Sequence, residues 1–196
     1  MRKLSSIISV ALLSIGVVPC AYAHTGYGGS AHEFLAVGLH PFTSIEHIVV
    51  ILSVGLVAAW QKEARQWLLL TVFAVALMLG IVAGAGTVDA HSLAIEFAMS
   101  LVIVGLALVA PADWLLSASL PAAIVLGFLH GQGHTAQFHS GAVIAPQLVL
   151  IGLLAVTLPA IGLIIGRRFG ERFVQIRRIG GAVLATTGIH LLINIA

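Results

Sequence analysis

Two histidines four positions apart, His130 and His134, lie in the stretch G-F-L-H-G-Q-G-H-T-A-Q. On a helix this spacing puts both rings on one face, within reach of one ion. Far upstream, an acid and an imidazole stand side by side as Glu46-His47, six and seven residues after His40, where His40-Pro41 begins an apolar run that ends at Trp60. Imidazole is the commonest protein metal ligand and suits nickel, cobalt, copper and zinc. An ionisable group inside an apolar span is costly and by default marks a functional pathway. On an ideal helix His40 and His47 share a face but stand about 10 Å apart along the axis, too far for one ion to bridge without a break. Pro41 makes His40 a helix-start residue, where the backbone can bend. Sites stacked in this way suit a relay that passes an ion inward. Gly131 and Gly133 weaken a continuous helix through the second motif, and no H-E-x-x-H is present, which excludes a zincin protease.

The elements that must position these groups are membrane helices. The chain has 196 residues, 60% hydrophobic and 8% charged, with a mean hydropathy of +1.12. Soluble domains carry roughly 25% charged residues, so this composition cannot cover a water-facing surface. The expected fold class is all-α, a polytopic membrane helix bundle with six transmembrane helices after an N-terminal signal peptide. A formal charge of +2, without a basic patch interleaved with aromatics, excludes nucleic acid as a partner. The single cysteine, Cys20, excludes an intrachain disulfide framework and any C-x-x-C metal site.

Residues 1–23 have the form of a secretory signal: basic Arg2 and Lys3, an apolar stretch of twelve from Ile7 to Val18, and the A-x-A site Ala21-Tyr22-Ala23. Cleavage there leaves residues 24–196 as a six-span transport domain. A crossing helix needs about 20 mostly apolar residues. The spans expected are Pro41 to Trp60, Trp67 to Gly86, Leu93 to Ala110, Trp114 to His130, Val143 to Gly166 with Pro159 inside it, and Phe173 to Ile195. Of the nine basic residues, Lys62 and Arg65 fall between spans one and two, and Arg167, Arg168, Arg172, Arg177 and Arg178 fall between spans five and six. The positive-inside rule makes that side cytoplasmic. Both termini of the mature chain are then outside, as a cleaved signal requires, and the expected location is the bacterial inner membrane.

In that arrangement all nine histidines lie in the outer half, joined there by Glu33, Glu46, Asp89 and Glu96. Glu96 sits about one turn into span three. His32, His139 and His190 read as ordinary interfacial polar residues, and the arginine-rich loop most simply as a topology signal. His24, exposed by cleavage, would offer an α-amine and an imidazole that chelate one ion together, a capture site ahead of His40. The candidate metal residues are therefore His24, His40, Glu46, His47, Glu96, His130 and His134.

With these residues in place, the chain resembles the HupE/UreJ family of nickel and cobalt permeases. That family begins its first span with histidine-proline followed by an acid-histidine pair, matched by His40, Pro41, Glu46 and His47. Its H-G-x-[small]-H after the fourth span is matched by His130, Gly131, Gly133 and His134, and a third-span glutamate by Glu96. The family usually has aspartate at Glu46, glycine at Ser44, and glycine and glutamate where Thr135 and Gln137 stand. The resemblance implies secondary uptake of nickel or cobalt, with the divalent ion as substrate rather than cofactor, and no enzymatic step. No G-x-x-x-x-G-K-[ST] loop is present to drive it with ATP. Entry would be driven by the membrane potential and downstream metal-trapping proteins, or by a separate partner.

Two other classes remain open. An intramembrane zinc-dependent hydrolase would need three ligands converging on one closed site, with Ser53, Ser92 or Ser100 supplying a hydroxyl. An outer-face metal-binding or delivery protein would bind without transport.

Overall fold

The computed structural model describes residues 45–84, 89–135, 144–170 and 174–195. The signal-peptide region and His24, His32, His40 and His139 lie outside the described residues, as does the side chain of Glu46. Among the described residues there are six α-helices and no strand: α1 (Ile45–Ala59), α2 (Glu63–Gly84), α3 (Ala90–Val109), α4 (Ala112–Thr135), α5 (Ile144–Phe169) and α6 (Val174–Ile195). Four segments are long and apolar enough to cross a membrane: Glu63–Gly84, His91–Val109, Leu148–Phe169 and Val174–Ile195. A helix of 22 residues is about 33 Å long, against a hydrocarbon core of about 30 Å. His47–Ala59 is a shorter apolar helix.

The helices interlock in three pairs. In α1·α5, a Cβ on Gly55 would overlap the Pro159 carbonyl, and one on Gly162 would overlap that of Leu52. In α2·α4, Gly80 abuts the backbone of Phe128, and Gly131 abuts that of Leu77. Over longer stretches numbering rises together, from Leu52–Gly162 to Ala59–Gly166 in the first pair and from Phe73–Gly127 to Gly84–Thr135 in the second, so each of these pairs is parallel. In α3·α6, Gly105 meets Gly181 and Ala185, while Gly188 meets Ala98, so this pair is antiparallel. Helix association in lipid depends on close backbone approach, and glycine permits it. Pro159 is fully buried inside α5 at the same contact that needs Gly55. Gly170, at φ 47°, ends α5 in the left-handed conformation that glycine adopts without strain.

Burial is inverted relative to a water-soluble protein. Val82, Trp114, Ile164 and Ile193 are more than three-fifths exposed, whereas Ser53, Gln61, Gln66, Ser100, His130 and His134 are buried. A broad exposed apolar surface of this kind suits lipid, not water. The core is a continuous apolar cluster that includes Val50, Val54, Leu70, Phe73, Ala123, Leu126, Leu154 and Leu158.

The bundle has two chemically different ends. His47, His130 and His134 lie at one, toward the start of α1 and the finish of α4. At the other are Lys62, Arg65, Arg167, Arg168, Arg177 and Arg178, near the finishes of α1 and α5 and the starts of α2 and α6. All three tryptophans, Trp60, Trp67 and Trp114, are at this arginine end. There the Arg177 guanidinium lies 4.7 Å from the centre of the Trp60 ring, joining α6 to the end of α1.

Several boundaries differ from the sequence expectation, α3 beginning at Ala90 rather than Leu93 and α5 ending at Phe169 rather than Gly166, and two of the differences bear on polar residues. The first concerns α2, which begins at Glu63 rather than Trp67 and so takes Arg65 and Gln66 into its first turn. An acid at that position complements the helix dipole. The second concerns α4, which runs without interruption through Gly131 and Gly133 to Thr135. A helical glycine costs about 1 kcal/mol relative to alanine. Here Gly131 lets α4 lie against the Leu77 backbone, a contact that a side chain would block.

Candidate metal-binding site

One continuous helix carries His130 and His134, so their i, i+4 spacing puts both on the same face. That face is turned inward: His130 is 6% exposed and His134 1%. His47, partly buried in the first turn of α1, meets both. The ring centroids are 4.8 Å apart for His47–His130, 5.4 Å for His47–His134 and 6.2 Å for His130–His134. Two imidazoles on one ion, each with a nitrogen about 2.1 Å from it, hold their ring centres roughly 4.5–5.3 Å apart for right-angled to tetrahedral geometry. The His47–His130 contact lies within that range, His47–His134 lies at its upper edge, and the His130–His134 contact is wider. Among the described residues, no group of three or more His, Cys, Asp and Glu side chains is arranged to hold a metal ion. The rings are thus gathered at one level, but their nitrogens do not form a finished cage.

His130 Nε2 is buried with no hydrogen-bond partner among the described residues. A buried polar atom without a partner is costly, and a bound ligand relieves that cost. Next to it, Thr135 donates its hydroxyl to the Gln132 carbonyl at 2.7 Å and packs against Gly84, which ties the last turn of α4 to α2.

Glu96, on α3, is partly buried, and its Oε2 has no hydrogen-bond partner among the described residues. Ser100 donates to the Glu96 backbone carbonyl at 2.9 Å, not to its carboxylate. One turn toward the histidine end, Leu93 packs beside Gly133 of α4. Glu96 is therefore on the helix that flanks the imidazoles, without a ring contact to them. His91 and His190 are exposed, and Asn194 donates to the His190 carbonyl at 2.7 Å, consistent with an interfacial role.

At the arginine end lies a polar link that charge placement along the sequence marks only as topology. Arg167 of α5 donates through both Nε, at 2.9 Å, and Nη2 to the side-chain carbonyl of buried Gln66. Gln66 Nε2 in turn donates to the Gln61 carbonyl at 2.7 Å and to that of Ala59 at 3.4 Å. Glu63 stands 3.8 Å from Arg167 Nη2, mostly in solvent. A glutamine one turn inside an apolar helix is the signal that marks this link.

The family model described as HupE / UreJ protein matches residues 11–191, nearly the whole chain. The chain belongs to the HupE/UreJ family. No curated relative and no solved structure matches it. The HupE/UreJ family is one of membrane transporters, generally non-enzymatic, and is associated with nickel and cobalt transport. The six-helix arrangement is accordingly a multi-pass membrane bundle.

Proposed function

We propose that this HupE/UreJ chain is a secondary permease that admits nickel or cobalt ions at its histidine end and releases them at its arginine end. The observation that carries the reading is the meeting of three imidazoles, His47 from one helix pair and His130 and His134 from another. A divalent ion entering a low-dielectric medium must exchange water for protein ligands, and neutral imidazoles supply them without adding charge. The Glu46 carboxylate, one residue from His47, is positioned in sequence to add a negative charge, and Glu96 flanks the path from α3. His40 and His24 extend the ligand series outward. By the positive-inside rule the arginine end faces the cytoplasm. With residues 1–23 acting as a cleaved signal, six spans then leave both termini outside, in the inner membrane of a bacterium. Membrane potential and cytoplasmic trapping proteins provide the driving force.

Three clustered imidazoles also suit a zinc hydrolase. That reading is weaker because the nitrogens do not converge and because the Ser100 hydroxyl is committed to the Glu96 carbonyl. Uptake of radiolabelled nickel and cobalt by vesicles containing the purified protein tests the proposal. Saturable uptake lost in the His47→Ala protein supports it. Metal binding without uptake favours the delivery reading, and hydrolysis of a peptide or ester without uptake favours the enzyme.

A further inference from the structure

We infer that the α1·α5 and α2·α4 pairs are the two moving bodies of a gate, and that the Gln66–Arg167 hydrogen bonds are the latch holding its arginine end shut. This inference rests on the transport reading and adds to it the residues that control release.

Each pair is locked internally by backbone contact at glycine, so neither can open along its own seam without losing that packing. The seam between the pairs is different. At one end it carries the imidazole contacts of His47 with His130 and His134. At the other it carries the two donations from Arg167 to Gln66, the Glu63–Arg167 pair and a longer donation from Gln66 to the Ala59 carbonyl at the end of α1. Between these ends lies an apolar layer that includes Val50, Val54, Ala123, Leu126, Leu154 and Leu158. Such a layer is impassable to a divalent ion. An ion held by the histidines can therefore leave at the arginine end only if the pairs part there.

The latch has the chemistry for this task. Arg167 presents two N–H groups to one neutral carbonyl, a charge-assisted contact without the strength of a buried ion pair. Gln66 is held in place by its donation to Gln61 in the α1–α2 turn, and its longer donation to Ala59 reaches the end of α1, so the latch centres on Gln66 and engages both α5 and α1. Arg167 directly follows Gly166, which abuts Ala59, so the last turn of α5 transmits any release to α1.

The test measures access to the apolar layer in full-length protein reconstituted in lipid nanodiscs, with Cys20→Ser and a reporter cysteine at the buried Ala123 or, separately, at Leu158. A membrane-impermeant thiol reagent should label the parent slowly. Arg167→Met and Gln66→Leu should each speed labelling by about tenfold, as expected when a charge-assisted hydrogen bond holding a closed state is lost. Arg167→Lys, which keeps the charge but not the forked donor, should fall between. A second arm joins Gln66→Cys to Arg167→Cys with a reducible bifunctional thiol reagent. Nickel flux should stop on linking and return on reduction. Labelling at the parental rate in both latch variants, or flux that survives linking, overturns the inference. If the parent itself moves neither nickel nor cobalt, the transport reading fails, while the labelling arm still decides whether Arg167 and Gln66 hold the seam closed.

Discussion

His47 and His130 meet edge to face, with ring centroids 4.8 Å apart and planes inclined by 66°, although they belong to helices that pack in different pairs. The contact joins residues 83 positions apart by their numbers and brings the last two turns of α4 against the first turn of α1. A ligand bound there touches both bodies at once.

That shared position makes a kinetic prediction. His47→Ala, His130→Ala and His134→Ala should each reduce uptake by at least the roughly 10–100-fold that loss of a supporting partner costs a metal site. The His130→Ala/His134→Ala double variant should lose little more than either single one, because groups acting as a unit are non-additive. Mild single effects that simply add in free energy would show that the imidazoles act separately. Surface biotinylation checks that each variant still inserts.

The two glycines between His130 and His134 should respond oppositely to alanine. A Cβ on Gly131 would meet the Leu77 backbone, whereas one on Gly133 would make ordinary contact with Leu93 at 3.5 Å. Gly131→Ala should lower stability by about 1–3 kcal/mol through overpacking. Gly133→Ala should raise it by about 0.5–1 kcal/mol, since helix propensity improves without a clash. Unfolding in mixed detergent micelles measures both, and equal shifts would contradict the packing of α4 on α2.

Asp89 caps α3 and accepts a hydrogen bond from the Ser92 backbone N–H at 2.7 Å. That bond, followed by one from the Ser92 side chain, holds its carboxyl below the ordinary value of 3.8. The folded pKa is the lower one, so the contribution is complete above the unfolded value and is lost as pH falls through the folded value. Asp89→Ala should therefore destabilise the protein at neutral pH by more than it does in strong acid. Asp89→Asn should retain most of the cap and flatten this pH dependence. A pH-independent difference between the parent and Asp89→Ala would assign the effect to something other than ionisation.

His24 gives a prediction for the chain ahead of the described helices. Inserting one alanine between Ala23 and His24 keeps the imidazole but separates it from the new α-amine. A free α-amine titrates at about 7.7–8.0, so near neutrality metal must compete with a proton for it. Uptake should fall at limiting nickel and recover at excess. Mass spectrometry of the mature N-terminus comes first, and cleavage elsewhere or unchanged uptake at limiting metal removes His24 from the path.

The helices were legible because runs of about 20 apolar residues have few alternatives. His130 and His134 were legible as a pair because i, i+4 spacing needs no tertiary knowledge. Their cooperation with span one, which carries His47, was expected from their shared outer position and the family resemblance; which helices pair was not, because the apolar runs look alike. Three G-x-x-x-G patterns, at Gly80–Gly84, Gly127–Gly131 and Gly162–Gly166, mark the faces of α2, α4 and α5 that pack closely. They indicate which face packs without naming its partner. Gln66 and Arg167 are 101 residues apart, and a rule that sorts arginines by side of the membrane says nothing of what each one touches.

The placement of Trp60, Trp67 and Trp114 at one end has an optical consequence. From His47 to Trp60 is thirteen residues of sequence, about 20 Å along a helix axis. A paramagnetic ion lodged among the imidazoles is too distant to quench the indoles by direct contact. Trp60, beneath the Arg177 guanidinium, reports instead on whether that stack persists. A change in intrinsic emission on adding nickel would thus be a signal relayed through the length of the bundle, readable without a label.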